Sequence, residues 1–398
     1  MPKRGNMPQD KVALIVMTGL NGESEVELMM NGALAAATLD TIEKALAAEN
    51  IGPIIVSTNS AKLEEMLREW PVTVERDWAD EPFHFGFRLR EIINQHRLEK
   101  VIYMGGGSGV LLSVDELRQM AEALLKEERL LITNNFYSTD FCGFTPGSHI
   151  NAIHAPPYDN DLGWRMGQSG GLPNVSLPRT ASTQLDIDTP VDLMVLTYDP
   201  TVGKYLRAFL DGQELDTAPI RQAMRFLVNR TTEVILAGRV SSAILAYMEK
   251  EAACRVRVFS EERGMRASGR QARGEVRSLL GHLYQSAGPR RFFNTLSEMA
   301  QALFFDNRVL WVHCGVWPSA SDRFYSDLRR PDKIEDDFVR TLTEAAMESP
   351  IPVIMGGHSL VSGDMYVIVD QAWEITQVDL PRWVNHTFWG DPTPKKRK

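Results

Sequence analysis

The sequence predicts an α/β protein, with a mainly parallel sheet in the first 210 residues and a second α/β unit after it. Three observations carry this. From residue 11 to residue 133 short apolar runs alternate with helix-length stretches, the rhythm of parallel strands joined by crossover helices. Residues 100–117, KVIYMGGGSGVLLSVDEL, pass from an apolar run through a glycine cluster into a capped helix. Residues 233–249, EVILAGRVSSAILAYME, repeat strand, glycine turn and helix in the second half.

The elements follow in order. Residues 11–19 (KVALIVMTG) read as a buried first strand, residues 20–32 as a polar loop, and residues 33–50 as a helix rich in Ala and Leu. Residues 52–59 (GPIIVSTN) are a second strand, and Ser60 caps the helix that runs to Trp70. A short strand at 72–74 and a helix at 87–96 lead to the glycine-loop strand. Gly105, Gly106, Gly107, Ser108 and Gly109 then leave the backbone almost bare, so its N–H groups can meet a ligand at the sheet's carboxyl edge. A tight turn without a ligand is the other reading. Ser113 and Glu116 have capping-box spacing for the next helix. Residues 130–133 are a further strand, ending in Asn134 and Asn135. These two, with Asp140, suit contacts to a ribose or base, or serve the turn itself. Residues 145–183, rich in Pro, Gly, Asn and Asp, read as long ordered loops.

A polar break at 211–219 marks the boundary between a first domain (1–210) and a second (220–390). The second has expected strands at 255–259, 309–314, 352–355 and 365–369. Arg263, Arg266, Arg270, Arg273 and Arg277 have helical spacing, but Gly264, Gly269 and Gly274 argue against a helix there. The tail 391–398 is basic and expected to be disordered.

Charge is uneven. Of 43 Lys and Arg and 52 Asp and Glu, 25 and 22 lie in residues 216–398, which leaves 18 and 30 before them: +3 against −12. An acidic half is a poor partner for nucleic acid, yet it accepts a nucleotide if a divalent metal neutralises the phosphates. Three dispersed cysteines form neither a disulfide framework nor a zinc pattern, and no apolar run is long enough to span a bilayer. The expected place is the cytoplasm, away from membranes.

The most specific string is LDIDTPVDL, residues 185–193. It resembles the D-I-D-T-P-E-D-L signature that closes the catalytic domain of nucleotidyltransferases of the nucleoside-diphospho-sugar transferase superfamily, such as molybdenum cofactor guanylyltransferase. The order of elements over about residues 11–200 is similar to that superfamily too. The resemblance implies a Rossmann-like fold, a nucleotide as ligand, a small phosphorylated acceptor and Mg2+ or Mn2+ as cofactor. It assigns catalysis and metal binding to Asp186 and Asp188, and nucleotide binding to Gly19 and the 105–109 loop. Asp188 or Thr189 as a plain helix cap is the alternative on residue grounds. The chain departs from the pattern in two places. The loop after Gly19 carries Glu23, Glu25 and Glu27 where the superfamily has basic residues, and glycine stands in the slot of a metal-binding aspartate.

Asp159 and Asp161, in the triplet Asp159-Asn160-Asp161, offer substitute oxygen ligands for a metal, or form an Asx-rich surface turn. Three functions stay open: a metal-dependent nucleotidyltransferase, a catalytically degenerate binding protein of the same fold, and a glycosyltransferase using that triplet. A homo-oligomer is compatible with all three.

Overall fold

The structure, a computed structural model, describes residues 11–77 and 82–376. Strand β1 (Val12–Thr18) is buried along its whole length, as an apolar strand covered on both faces must be. It pairs in parallel with β2 (Ile51–Thr58), which is followed outward by β3 (Thr73–Arg76). On its other side it pairs in parallel with β4 (Val101–Gly105), Ile15 lying opposite Tyr103. The sheet ends with β5 (Leu130–Thr133), β6 (Phe141–Thr145) and β7 (Asn174–Ser176), in the order β3-β2-β1-β4-β6-β5-β7. Only β6 runs against its neighbours β4 and β5. The strand order reverses between β1 and β4, and at such a switch point the carboxyl ends of the strands open a crevice.

The second sheet holds β8 (Glu233–Gly238), β9 (Arg255–Ser260), β10 (Ala302–Asp306) and β11 (Val353–Gly356), all parallel, in the order β11-β10-β8-β9. Its own switch point lies between β8 and β10. One apolar core runs through both halves, joining Leu185, Ile187 and Val191 to Val234, Phe304, Ile354 and Ile368. Contact there is close: a Cβ on Gly363 would stand 2.2 Å from the Gln184 carbonyl oxygen, and one on Gly356 2.5 Å from Val191.

The α/β class and the mainly parallel first sheet match the sequence reading, with several local differences. The first helix spans Glu25–Ala47, because Ser24 and Glu27 form a capping box eight residues before the expected start. Residues 309–314 are not a strand: they lie in the helix Arg308–His313, and the strand is the preceding Ala302–Asp306. Residues 365–369 likewise belong to a helix, Gly363–Thr376, whose residues from 363 to 369 are all buried. A helix apolar all round has no amphipathic period, so a short window of it reads like a buried strand. Residues 185–188 form no ladder and make one bridge, Ser108 to Asp186. The 145–183 stretch contains 3₁₀ turns, short helices and β7. The arginine-rich segment 263–274 is a chain of turns, as its glycines required. The tail 391–398 lies outside the described residues. No described helix is long and apolar enough to cross a membrane.

Candidate active site

The segment carrying Asp186 and Asp188 is drawn against the loop after β4. The Ile187 N–H donates to the Gly107 carbonyl oxygen at 3.0 Å. Glycine permits this approach: a Cβ at position 107 would meet the Ile187 carbonyl oxygen at 2.8 Å and Asp186 Oδ1 at 2.9 Å. Gly106 is pressed against the Thr18 side chain, and Gly109 holds φ +63°. Ser108 is buried, its hydroxyl donating to the carbonyls of Gly105 and Asp140. Gly105 is the open member of the loop, its nearest neighbours being Ser108 Oγ at 3.5 Å, the Asp140 carbonyl oxygen at 3.7 Å and Asp159 Oδ2 at 3.8 Å. Gly19, at the end of β1, is exposed.

Four carboxylates converge at this edge. The Asn134 amide donates to Asp140 Oδ2 at 2.8 Å and the Asn160 amide to Asp140 Oδ1 at 3.2 Å. Asp159 accepts from the Tyr103 hydroxyl at 3.1 Å and from the Asn160 N–H at 2.9 Å. Asp188 accepts from the Ser359 hydroxyl of the second half at 3.4 Å. Asp140, Asp159 and Asp186 are half-buried and Asp188 is exposed, so the group keeps contact with solvent at the open edge of the switch-point crevice. Partial desolvation first, then mutual repulsion, lifts Asp140 to about 7. Desolvation likewise lifts Asp159 to about 6, with Asp188 adding to the shift. Asp186 is pushed well above the carboxylate range by desolvation and then by Asp188, Asp140 and Asp159. Asp188 is raised by desolvation too, against the opposing pull of Arg239, the Ser359 hydroxyl, Arg266 and Arg308. Adjacent carboxylates cannot all ionise without a compensating cation.

The second half faces this edge with ion-paired arginines. Arg239, which follows β8, pairs bidentately with Asp306 at the end of β10, at 2.6 and 3.0 Å. Arg308 pairs in the same way with Asp327, at 2.7 and 2.5 Å. Asp306 is wholly buried, and Arg239 overrides the burial that would raise it, holding it below its ordinary value. Both sheets thus present their carboxyl edges to the space around Asp188.

No protein-family model matches the chain, and no curated protein matches it in sequence. Solved structures do align with it. A cytidylyltransferase from Leptospira borgpetersenii is 15% identical at TM-score 0.38, covering 52% of this chain and 98% of its own. CMP:2-keto-3-deoxy-manno-octonic acid synthetase, complexed with CTP, is 11% identical at TM-score 0.34, covering 47% and 97%. 4-Diphosphocytidyl-2C-methyl-D-erythritol synthase from Anaerococcus prevotii is 13% identical at TM-score 0.32, covering 46% and 95%. Each of these alignments takes in about half of this chain. Likeness at this level leaves the chemistry to be read from the site's own residues.

Among the described residues no three His, Cys, Asp or Glu side chains could together hold one ion. An all-protein metal cage is therefore absent there. Mg2+ needs less: one or two carboxylates, the remaining positions going to water and substrate phosphate. Asp186 and Asp188 fit that demand, being hard oxygen donors two residues apart on a tethered segment, in a cleft with excess negative charge.

The other expected residues fall as follows. Asp159 joins Asp186 and Asp188, whereas Asp161 ion-pairs with Arg165 at 3.2 Å. Asn134 is turned inward, accepting from the Asp140 and Phe141 N–H groups and donating to Asp140 and the Thr183 carbonyl. Asn135 closes an Asx turn on the Tyr137 N–H. Thr189 and Asp192 form the capping box of the helix Pro190–Leu196, so the cap and the carboxylate pair coexist in one motif. Sequence reading placed Asp140 only beside a ribose or turn, read Ser359 as part of a weak anion-site string, Gly356-Gly357-His358-Ser359, after a strand, and missed Tyr103.

Proposed function

We propose that this chain is a divalent-cation-dependent nucleotidyltransferase that binds a nucleoside triphosphate between the two sheet edges and serves a small phosphorylated acceptor. The observation that carries this reading is the convergence of Asp140, Asp159, Asp186 and Asp188 in a solvent-open cleft at a switch point. Asp186 and Asp188 would hold Mg2+ or Mn2+, whose chemistry there is to neutralise phosphate oxygens. An acceptor phosphate oxygen attacks the α-phosphorus and forms a new P–O bond. The bond from the α-phosphorus to the oxygen bridging the β-phosphate breaks, and pyrophosphate leaves with that electron pair. The protein's part is positioning and electrostatics. Gly19 and Gly105 leave room for the nucleotide at the ends of β1 and β4, Tyr103 and Asn160 aim Asp159, and Asn134 aims Asp140 toward the acceptor side.

A second reading, a binding protein without turnover, is favoured by the lack of Lys and Arg in residues 19–24 and 105–109. Glycosyl transfer through Asp159-Asn160-Asp161 has less support, since Asp161 is engaged by Arg165. The test is a thermal-shift screen of nucleoside triphosphates and nucleotide sugars with magnesium, manganese or chelator, followed by pyrophosphate release with a panel of sugar phosphates. Stabilisation and release that require metal are expected. Stabilisation without release in any combination selects the binding protein. No stabilisation, or equal stabilisation in chelator, overturns the proposal.

A further inference from the structure

The cleft described above has an unbalanced inventory of charge. On the first half's side, the loops after β1 and β4 contain no lysine or arginine, and the nearest ionisable groups are carboxylates. A nucleoside triphosphate brings several negative charges into that space. A cation held by two carboxylates neutralises part of them and leaves the remainder facing the opposite wall.

On that wall the arginines fall into two classes. Arg239 and Arg308 are neutralised by Asp306 and Asp327. Arg270 and Arg273, on the turn-rich segment, are paired with Glu262 and Glu275. Arg266 and Arg323 differ: neither has a carboxylate within ion-pair distance among the described residues.

The Arg266 guanidinium lies over the Tyr158 ring, 6.0 Å from its centroid, and Tyr158 directly precedes Asp159. That places an exposed cation of the second half beside the carboxylate cluster of the first. Arg323 lies over Trp317 at 4.8 Å and donates to the Pro318 carbonyl at 2.5 Å. It is half-buried, and desolvation together with the neighbouring charges of Arg308 and Arg266 pushes it down to about 10. Glu27, in the first turn of the helix after the β1 loop, lies within its field. Keeping like charges together around a cleft costs stability unless an anion enters among them.

We propose that the polyphosphate end of the ligand is held by the second half of the chain, through Arg266 and Arg323. The assignment rests on the nucleotide reading above for the ligand's identity, and on the arrangement of the arginines for its location. Nucleotide and acceptor are then gripped from opposite sides, and the site is incomplete without the second sheet.

The probe is inorganic tripolyphosphate, titrated calorimetrically into the full chain in magnesium buffer. Arg266→Ala and Arg323→Gln should each weaken binding about ten- to hundredfold, the range for loss of a hydrogen bond to a charged group. Arg290→Ala, a surface pair with Glu348 outside the cleft, should leave it unchanged. Tripolyphosphate that fails to bind the wild-type protein, or binds both variants as it binds wild type, overturns the proposal. If Arg323→Gln does not fold, Arg266→Ala decides alone, because Arg266 is exposed and supports no core contact. The two readings fail separately. Arginine-dependent tripolyphosphate binding without nucleotidyl turnover removes the transfer reading and keeps this one; turnover indifferent to both arginines does the reverse.

Discussion

Asp192 of the first half and Asp364 of the second are two buried carboxyls brought together inside the interface that joins the two sheets. Neither is exposed to solvent. Asp192 Oδ2 accepts from the N–H groups of Asp188 and Thr189 at 2.8 and 2.6 Å, while its Oδ1 and both oxygens of Asp364 have no hydrogen-bond partner among the described residues. Two buried carboxyls with no cation between them stay together only if one keeps its proton. Burial, then the charge of Asp364, pushes Asp192 well above the carboxylate range, and burial lifts Asp364 to about 7.

A native carboxyl with a raised pKa holds its proton more tightly than the unfolded chain does. Its contribution is therefore complete below the ordinary value of 3.8 and is lost as pH rises through about 7. Asp364→Asn supplies an N–H to Asp192 without a titrating proton. Urea unfolding between pH 5 and 8 should show wild-type stability falling as pH rises. The variant should lose about one proton's worth of that slope, roughly 1.4 kcal/mol per pH unit. Equal slopes would show that the pair shares no proton.

Asp186→Asn and Asp188→Asn should remove the response to magnesium. At a hundredfold excess over Kd, a bound cation adds about 2.7 kcal/mol to the wild-type protein, read as a higher Tm. Without magnesium each variant should melt no lower than wild type, since neutralising one carboxylate relieves repulsion within the cluster. A retained magnesium shift in both variants would move the cation elsewhere.

The loop after β4 separates packing glycines from an open one. Gly107→Ala forces the Ile187 carbonyl and Asp186 aside and should cost about 1–3 kcal/mol, with a weaker magnesium response because Asp186 moves. Gly105→Ala meets only ordinary contacts and should fold within about 0.5 kcal/mol of wild type. Any loss of nucleotide-induced stabilisation in Gly105→Ala then reports on the ligand. Should Gly107→Ala prove as stable and as magnesium-responsive as wild type, the 2.8 Å approach is not what holds Asp186.

Arg239→Ala strands the wholly buried Asp306 without its cation. The expected cost is about 3–5 kcal/mol, as for other broken buried pairs. The double variant Arg239→Ala with Asp306→Ala should recover part of this, a non-additivity measurable in a double-mutant cycle. Additive losses would mean that the pair is not coupled.

What the sequence determined by itself is local. The fully apolar β1, the capping boxes at Ser113 and Thr189, and the glycine punctuation after β4 and β8 each express chemistry within a few residues, and each is found in place. The LDIDTPVDL string carried Asp186 and Asp188 for the same reason. Local pattern failed at 365–369, where burial on every side removes the contrast that tells helix from strand, and at 309–314, an apolar run too short to show a helical period. It could not bring Asp140 to Asp159, Asp186 and Asp188, or tell the paired arginines of the 263–277 segment from the unpaired ones. Those relations depend on strand order, on the Ser108–Asp186 bridge, and on a second sheet that shares an apolar core with the first half. Charges separated by many residues acquire their strength only when folding removes the water between them, so the tertiary structure alone decides which carboxylates share a cleft and which arginines face it.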